Sequence, residues 1–556
     1  MTFQRAPVPT ETPHRWPWVA GAAGALVLIV VLVLAFANPL GGSDDPEESS
    51  YIEGIVGASS ILNPLFMYQS DADRDLAALV FSGLTQLSAD GQPEPSLAES
   101  WDISDDGTTY TFHLRAGVKW HNGAEFTADD VVFTYGLLGD PRLHGDPDQA
   151  QLWQSIGCSS AELLTVTCVL PEAYAPFLIY TTIGILPKEI LATVNAATIQ
   201  DDPFHLKPIG TGPYRVEKLD PTRAVFEANP EFYLGRPSIS RIEVRFYPDV
   251  SPAAADVVRG QIDGLLVDLT INPDDYQTLE SIDGLEEYPA GRTAYTILYL
   301  NNRQTPLNDP FVREAIAHIV DVDSIISSLV GGRAIRAESP VAPGTWAYDD
   351  DVDPASQDLG VARNLLDAGG WELPEGGTVR RRNNVELRFS IMTDQDPLRG
   401  AIADAIAEQL RQIDIDATVV REASSRLVRD FLIPREYQAA IFGWDPGADP
   451  DPYPAWHSSQ ATGEGRNLAA YSSERADELM EAARQTTDLD ERRDLYAQFQ
   501  ELFVEDAPSI PLYHPVYTYF VSARIGGIEP GVLFTTASRF RSVQDWTFDS
   551  APGLGR

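Results

Sequence analysis

The densest grouping of chemically useful side chains in the 556 residues is the run FGWDPGADPDPYPAWHSSQ, residues 442–460, which sets Asp445, Asp449 and Asp451 among four prolines. Carboxylates this close together can hold a positive group, and one that faces a dry cleft attracts it more strongly as the local dielectric falls. Calcium would call for the EF-hand pattern of alternating acids closed by a glycine and a later glutamate, and the prolines break that pattern. The structural alternative is that Asp-Pro steps build turns while Trp444 and Trp456 fill a core. Both readings stand at this point. Elsewhere the chain has no GxSxG, HExxH, Walker loop or GxGxxG, and its eight histidines are scattered without ligand spacing. A hydrolase built on paired carboxylates is the enzymatic alternative, with no other feature in its favour, so the reading is of a non-enzyme that needs no cofactor and no metal.

Cys158 and Cys168 are the two cysteines. The segment CSSAELLTVTCVL reads as a turn followed by an alternating strand, LTVTCVL, which would bring both sulfurs onto neighbouring strands. In an exported chain such a pair forms a structural disulfide. A zinc site would need further ligands nearby, and a redox pair would show CxxC spacing.

Export is indicated by the first 50 residues. A basic flank, Arg5, His14 and Arg15, precedes an uncharged run that is followed by the acidic GGSDDPEESS. Positive residues stay in the cytoplasm, which sends everything after residue 40 across the membrane, with Trp16 and Trp18 as interfacial anchors. Residues 19–37 would span about 28 Å as a helix, against a hydrocarbon layer of about 30 Å. The expected boundaries are a cytoplasmic tail at 1–15, a membrane anchor at 16–40 and a linker at 41–50. Cleavage after Ala35-Phe36-Ala37 is the alternative, although the apolar run is long for a signal peptide. The net charge of −42, from 82 acidic against 40 basic residues, excludes nucleic acid as a natural partner.

The rest of the chain is long enough for more than one core. Residues 51–292 are rich in alternating strands such as TTYTFHLRAGVKW and RIEVRFY, whereas 293–509 alternate strands with helices. NDPFVREAIAHIVD predicts a helix capped by Asn308 or Asp309, with Phe311, Ala315 and Ile319 on one face. LGVARNLLDAGGW predicts a second, closed by Gly369 and Gly370; AIADAIAEQLRQI a third, with Ile402, Ile406, Leu410 and Ile413 inward. IDATVV predicts a strand, and DERRDLYAQFQELFVEDAP a last helix that Pro508 ends.

Several of these motifs together resemble the family 5 extracytoplasmic solute-binding proteins of ABC transporters, the oligopeptide- and dipeptide-binding type. PEPSLAESWDISDDGTTYTFHLRAGVKWHNGAEFTADDVVFTY at 93–135 carries the resemblance, joined by PIGTGPYRV, NPEFYLGRP, YLNNRQTPLNDPFVREAIAHIVD and DAPSIPLYH. It extends over about residues 51–540. Much of the signature reads as scaffold, since Asp106-Gly107 and Asn122-Gly123 make turns while Tyr110, Phe112 and Leu114 alternate toward a core.

The resemblance implies a mixed α/β, two-lobed fold of the periplasmic-binding-protein kind (type II, with an extra strand-rich subdomain), the first lobe at 51–292 plus 510–548 and the second at 293–509. The chain would cross between lobes near 294–302 and 508–514. A small solute, a short peptide first and an oligosaccharide or metal chelate as alternatives, would be enclosed as the lobes hinge together, and the closed monomer would be recognised by the ABC permease. An aspartate a few residues after a Gly-Trp pair and near an Asp-Pro would hold the peptide ammonium; Gly443-Trp444 and Asp451-Pro452 give the landmarks, Asp449 is the nearest equivalent, and Asp445 stays open. Trp444 would wall the cleft. ILNPLFMY, with Asn63 and Pro64, matches a cleft-facing loop, and Asn301 and Asn302 lie near the first crossing.

Overall fold

The computed structural model describes residues 49–548. The expected anchor at 16–40 lies outside the described residues; among those described, no helix is long and apolar enough to cross a membrane.

Why the chain folds as it does is clearest in one strand. Residues Ser509–Ser522 follow the helix Leu489–Asp506, which ends where Ala507 turns left-handed (φ 41°) and Pro508 forbids continuation. The strand runs for 14 residues, and its two ends serve different neighbours. Ser509–Tyr513 pair with the strand Tyr295–Leu300, while Val516–Ser522 pair with Leu285–Gly291. Around it a twelve-stranded mixed sheet extends both ways: through Tyr295–Leu300, Ala439–Trp444 and Arg388–Thr393 to Asp416–Arg421 on one side, and through Gly264–Val267, Ser50–Val56 and Arg241–Tyr247 to Tyr214–Asp220 on the other.

Apolar side chains divide along the same line. One core takes residues between Tyr51 and Val244 and closes with Tyr519, Phe540 and Trp546. A second collects Leu298, Ile316, Leu366, Ile391, Ile406 and Leu512, and a third joins Tyr299, Trp456, Leu479 and Phe503. The strand-rich and α/β halves of the sequence thus feed separate interiors.

A four-stranded antiparallel sheet stands apart, in the order Ala98–Ile103, Thr109–Leu114, Thr165–Val169, Gly157–Glu162. Cys158 sits opposite Cys168 in register, with Cα atoms 4.1 Å apart, and the two form the expected disulfide. The segment CSSAE is itself a strand, and the turn is shorter than the sequence suggested.

The predicted helices are present as Pro310–Ile319, Leu359–Ala368, Pro397–Arg411 and Leu489–Asp506. Asp309 caps the first by accepting from Phe311 N. Phe311 departs from expectation: it is exposed, and Val312, Ala315, Ile316 and Ile319 make the buried face. At the first turn of the helix, a shift of one residue rotates the stripe by about 100°.

Behind the first core's surface lies a buried ion cluster. Arg539 donates to Glu53 at 2.9 Å and pairs with Asp75 at 2.8 Å, all three side chains being at most 3 % exposed. Tyr519 also donates to Glu53, at 2.8 Å, and Thr536 to Asp75, at 2.6 Å. Burial pushes both carboxyls up, and Arg539 pulls against it. The cluster ties the C-terminal segment 535–540 to the helix Asp71–Val80.

Candidate functional site

The loop after strand Ala439–Trp444 is built by its aspartates. Asp445 accepts from Gly447 N at 3.0 Å, Asp449 from Asp451 N at 3.1 Å and Asp451 from Tyr453 N at 3.0 Å. Each carboxylate thus turns its own backbone two residues on, which explains why Asp alternates with Gly and Pro here.

Each carboxylate also carries an arginine from another element. Asp445 meets Arg292 at 3.0 Å on an exposed edge. Asp451 meets Arg484 of the helix Glu474–Gln485 at 2.6 Å. Asp449 forms a bidentate pair with Arg492 at 2.7 and 3.0 Å. The Arg492 and Asp449 side chains are 7 % and 11 % exposed, and Trp346 and Tyr496 rings flank the guanidinium at 5.2 Å each. Burial alone would depress Arg492, but the Asp449 carboxylate more than offsets it and holds the guanidinium above its ordinary range. Removing one member of such a buried pair costs about 3–5 kcal/mol.

Arg484 joins the loop to the first core. Its guanidinium lies 3.8 Å from the Tyr453 ring centroid and 5.5 Å from that of Tyr174, and its carbonyl accepts from Ala175 N at 2.8 Å. The Tyr174 hydroxyl lies 3.5 Å from that of Tyr180.

Beside this junction is a cavity of about 470 Å³. Its wall comes from segment 64–68, helix Asp71–Val80, segments 143–150 and 179–184, loop 446–449 and segment 534–538. That volume falls within the roughly 300–1,000 Å³ typical of sites for small organic ligands. A side chamber of about 240 Å³ shares Ala78, Phe81, Thr182 and Phe534 with it and ends near Tyr233 and Arg541.

The structure brings some of the sequence candidates together here. Asp449 and the ILNPLFMY loop, through Pro64, Leu65, Met67 and Tyr68, share the wall. Asn63 itself is buried and caps the turn Pro64–Gln69 by accepting from Leu65 N at 3.1 Å. Trp444 and Asp445 lie outside the cavity wall, Trp444 being half-buried against the third core. Asn301 and Asn302 also lie outside it. Asn301 donates to the carbonyls of Arg435 and Tyr437 at 2.9 and 2.8 Å, and Asn302 to those of Leu300 and Pro508 at 2.7 and 2.8 Å. These amides are occupied by backbone carbonyls.

Sequence reasoning missed Tyr180, Phe81 and Phe534 in the wall, and the arginines behind the loop. Arg492 had a signal: it stands four and seven residues before Tyr496 and Phe499, on the inward face of an amphipathic helix, and an arginine on that face wants a buried anion.

Comparison with known proteins gives this architecture its class. The family model described as bacterial extracellular solute-binding proteins, family 5, middle region, matches residues 92–466. The chain therefore belongs to the family 5 extracellular solute-binding proteins. It is similar to the oligopeptide-binding protein AppA of Bacillus subtilis, 28 % identical over 510 residues that span 88 % of this chain and 93 % of the relative. The solved structure of AppA with a nonapeptide covers 90 % of this chain and 99 % of its own, with a TM-score of 0.67 and 27 % identity. NikZ of Campylobacter jejuni, solved with Ni(L-His), gives a TM-score of 0.69 at 28 % identity, again over 90 % of this chain and 99 % of its own.

Proposed function

We propose that this chain captures a short peptide outside the cytoplasmic membrane in the 470 Å³ cavity and delivers it, chemically unchanged, to an ABC permease. The observation that carries the reading is the make-up of the cavity wall: segments 64–68 and 179–184 belong to the first core, whereas loop 446–449 extends from the strand that feeds the second and third. A guest in contact with both sides stabilises their approach by its own binding energy, the basis of hinge closure. Residues 51–292 with 510–548 form one lobe and 293–509 the other; the separate cores support this division, except that Ile510, Leu512 and Tyr513 pack in the second core. The protein acts as a monomer, held to the membrane by residues 16–40.

The peptide class is supported by the kinship with AppA, whose structure holds a nonapeptide. The kinship with NikZ, solved with Ni(L-His), keeps a metal chelate as the second reading. A thermal-shift screen of peptides, oligosaccharides and metal chelates separates them. Stabilisation by peptides alone is the expected result; stabilisation only by a chelate or sugar would replace the substrate class, and turnover of any bound compound would refute capture without chemistry.

A further inference from the structure

The cavity's charged wall residues, among those described, are Arg74, Asp146 and Asp449, and each already has a protein partner. Arg74 pairs with Asp71 one helical turn away. Asp146 accepts from Gln149 Nε2 at 3.4 Å. Asp449 uses both oxygens on Arg492 and one of them also on Asp451 N. The Arg492 guanidinium also donates to the Ala483 carbonyl at 3.0 Å and the Tyr496 hydroxyl at 2.9 Å, so four of its five N–H groups are engaged. An ammonium arriving at Asp449 would therefore meet a carboxylate already neutralised and would leave its own hydration uncompensated.

What the wall offers instead is apolar surface. Leu65, Met67, Phe81, Leu143, Ile183 and Phe534 come from five separate segments, and loop 446–449 adds Pro446 and Ala448. Tyr68, Gln149, Tyr180, Thr182, Thr535 and Ser538 supply neutral polar groups in the same wall.

We infer that the chamber selects an apolar, uncharged stretch of its guest, with the terminal charges of the peptide left outside, and that Asp449 holds the loop in shape through Arg492 without binding the guest. This rests on the peptide-capture reading above and names the substrate class for the same site. Affinity then tracks side-chain hydrophobicity and is indifferent to the N-terminal charge.

The test uses the full chain and isothermal titration with three probes: a leucine- and phenylalanine-rich tetrapeptide with a free amino terminus, its N-acetyl form, and a tetrapeptide of lysine and aspartate. The expected result is that acetylation shifts Kd by less than about threefold while the charged peptide binds at least about tenfold more weakly. A loss of tenfold or more on acetylation would overturn the inference, because it would place the ammonium on a wall carboxylate. The neutral fluorescent probe N-phenylnaphthylamine separates the two layers of argument. If it binds and no peptide does, the peptide reading fails while the apolar chamber stands; if neither it nor any peptide binds, the inference fails. Ala448→Asp, which adds a carboxylate with no arginine behind it, is expected to create a preference for the free amine of at least about fivefold. Absence of such a preference in a folded variant would count against loop 446–449 as a wall of the guest chamber.

Discussion

Asp449 and Arg492 meet through parallel N–H···O bonds of 2.7 and 3.0 Å, across 43 residues of sequence, with the arginine closed in by Trp346 and Tyr496. A fork-to-fork pair of this kind fixes geometry as well as charge. Replacing Arg492 by methionine leaves a nearly buried carboxylate without its cation and is expected to cost about 3–5 kcal/mol. Replacing both, Asp449→Leu with Arg492→Met, should cost less than the sum, since no orphan charge remains. Urea unfolding of the two single variants and the double one checks this; strictly additive losses would mean the pair is not coupled.

Arg539 serves two carboxylates, so its removal is the harsher change. Arg539→Met strands Glu53 and Asp75 together in the first core, and a loss of at least about 3–5 kcal/mol is expected. Because the cluster holds segment 535–540 against the helix that walls the cavity, ligand affinity should fall even where the variant stays folded. Unchanged affinity in a folded variant would separate the cluster from the site.

Two histidines, the half-buried His121 and the buried His514, give a pH dependence with a definite sign. His121 donates from Nε2 to the Gly212 carbonyl at 3.0 Å and accepts at Nδ1 from Gly210 N at 3.2 Å, so a second ring proton has no acceptor. Burial takes the rings of His121 and His514 down to about 4. The unfolded chain takes up these protons near pH 6.5 and the folded chain only near 4, so stability is full above about 6.5 and is lost as pH falls toward 4. Each ring contributes on the order of 3 kcal/mol to that loss. Unfolding free energies measured from pH 7 down to 4.5 should decline, and His121→Gln should flatten the decline; an unchanged slope would refute the assignment.

The Cys158–Cys168 bridge closes a short loop across paired strands. Serine at both positions should cost about 2–3 kcal/mol, by the loop-entropy estimate for a closure of this length. Calorimetry of oxidised and reduced protein tests it: a difference well under 1 kcal/mol would show that the hairpin is already fixed without the bond.

Local order was legible in the sequence because its causes are local. Asp309 before Pro310, Gly370 after Ala368 and the Ile402–Ile406–Leu410 stripe each act within a few residues, and the helices stand where they predicted. The turn chemistry of Asp445, Asp449 and Asp451 is equally short-range, each carboxylate capturing an amide two positions on. The disulfide followed from hairpin spacing, and the family from motifs that are chiefly turn and core residues.

Only the tertiary structure decided what the aspartates answer to. Arg292 lies 153 residues before Asp445 and Arg492 lies 43 after Asp449, distances over which no periodicity or capping rule operates. The cavity is of the same kind: segments 64–68, 446–449 and 534–538 become one wall because the strand Ser509–Ser522 pairs with both halves of the sheet and carries the chain back to the first core. Sequence specifies which groups are able to bind charge. Whether a group's charge is still available depends on which distant partner the folded chain has brought against it.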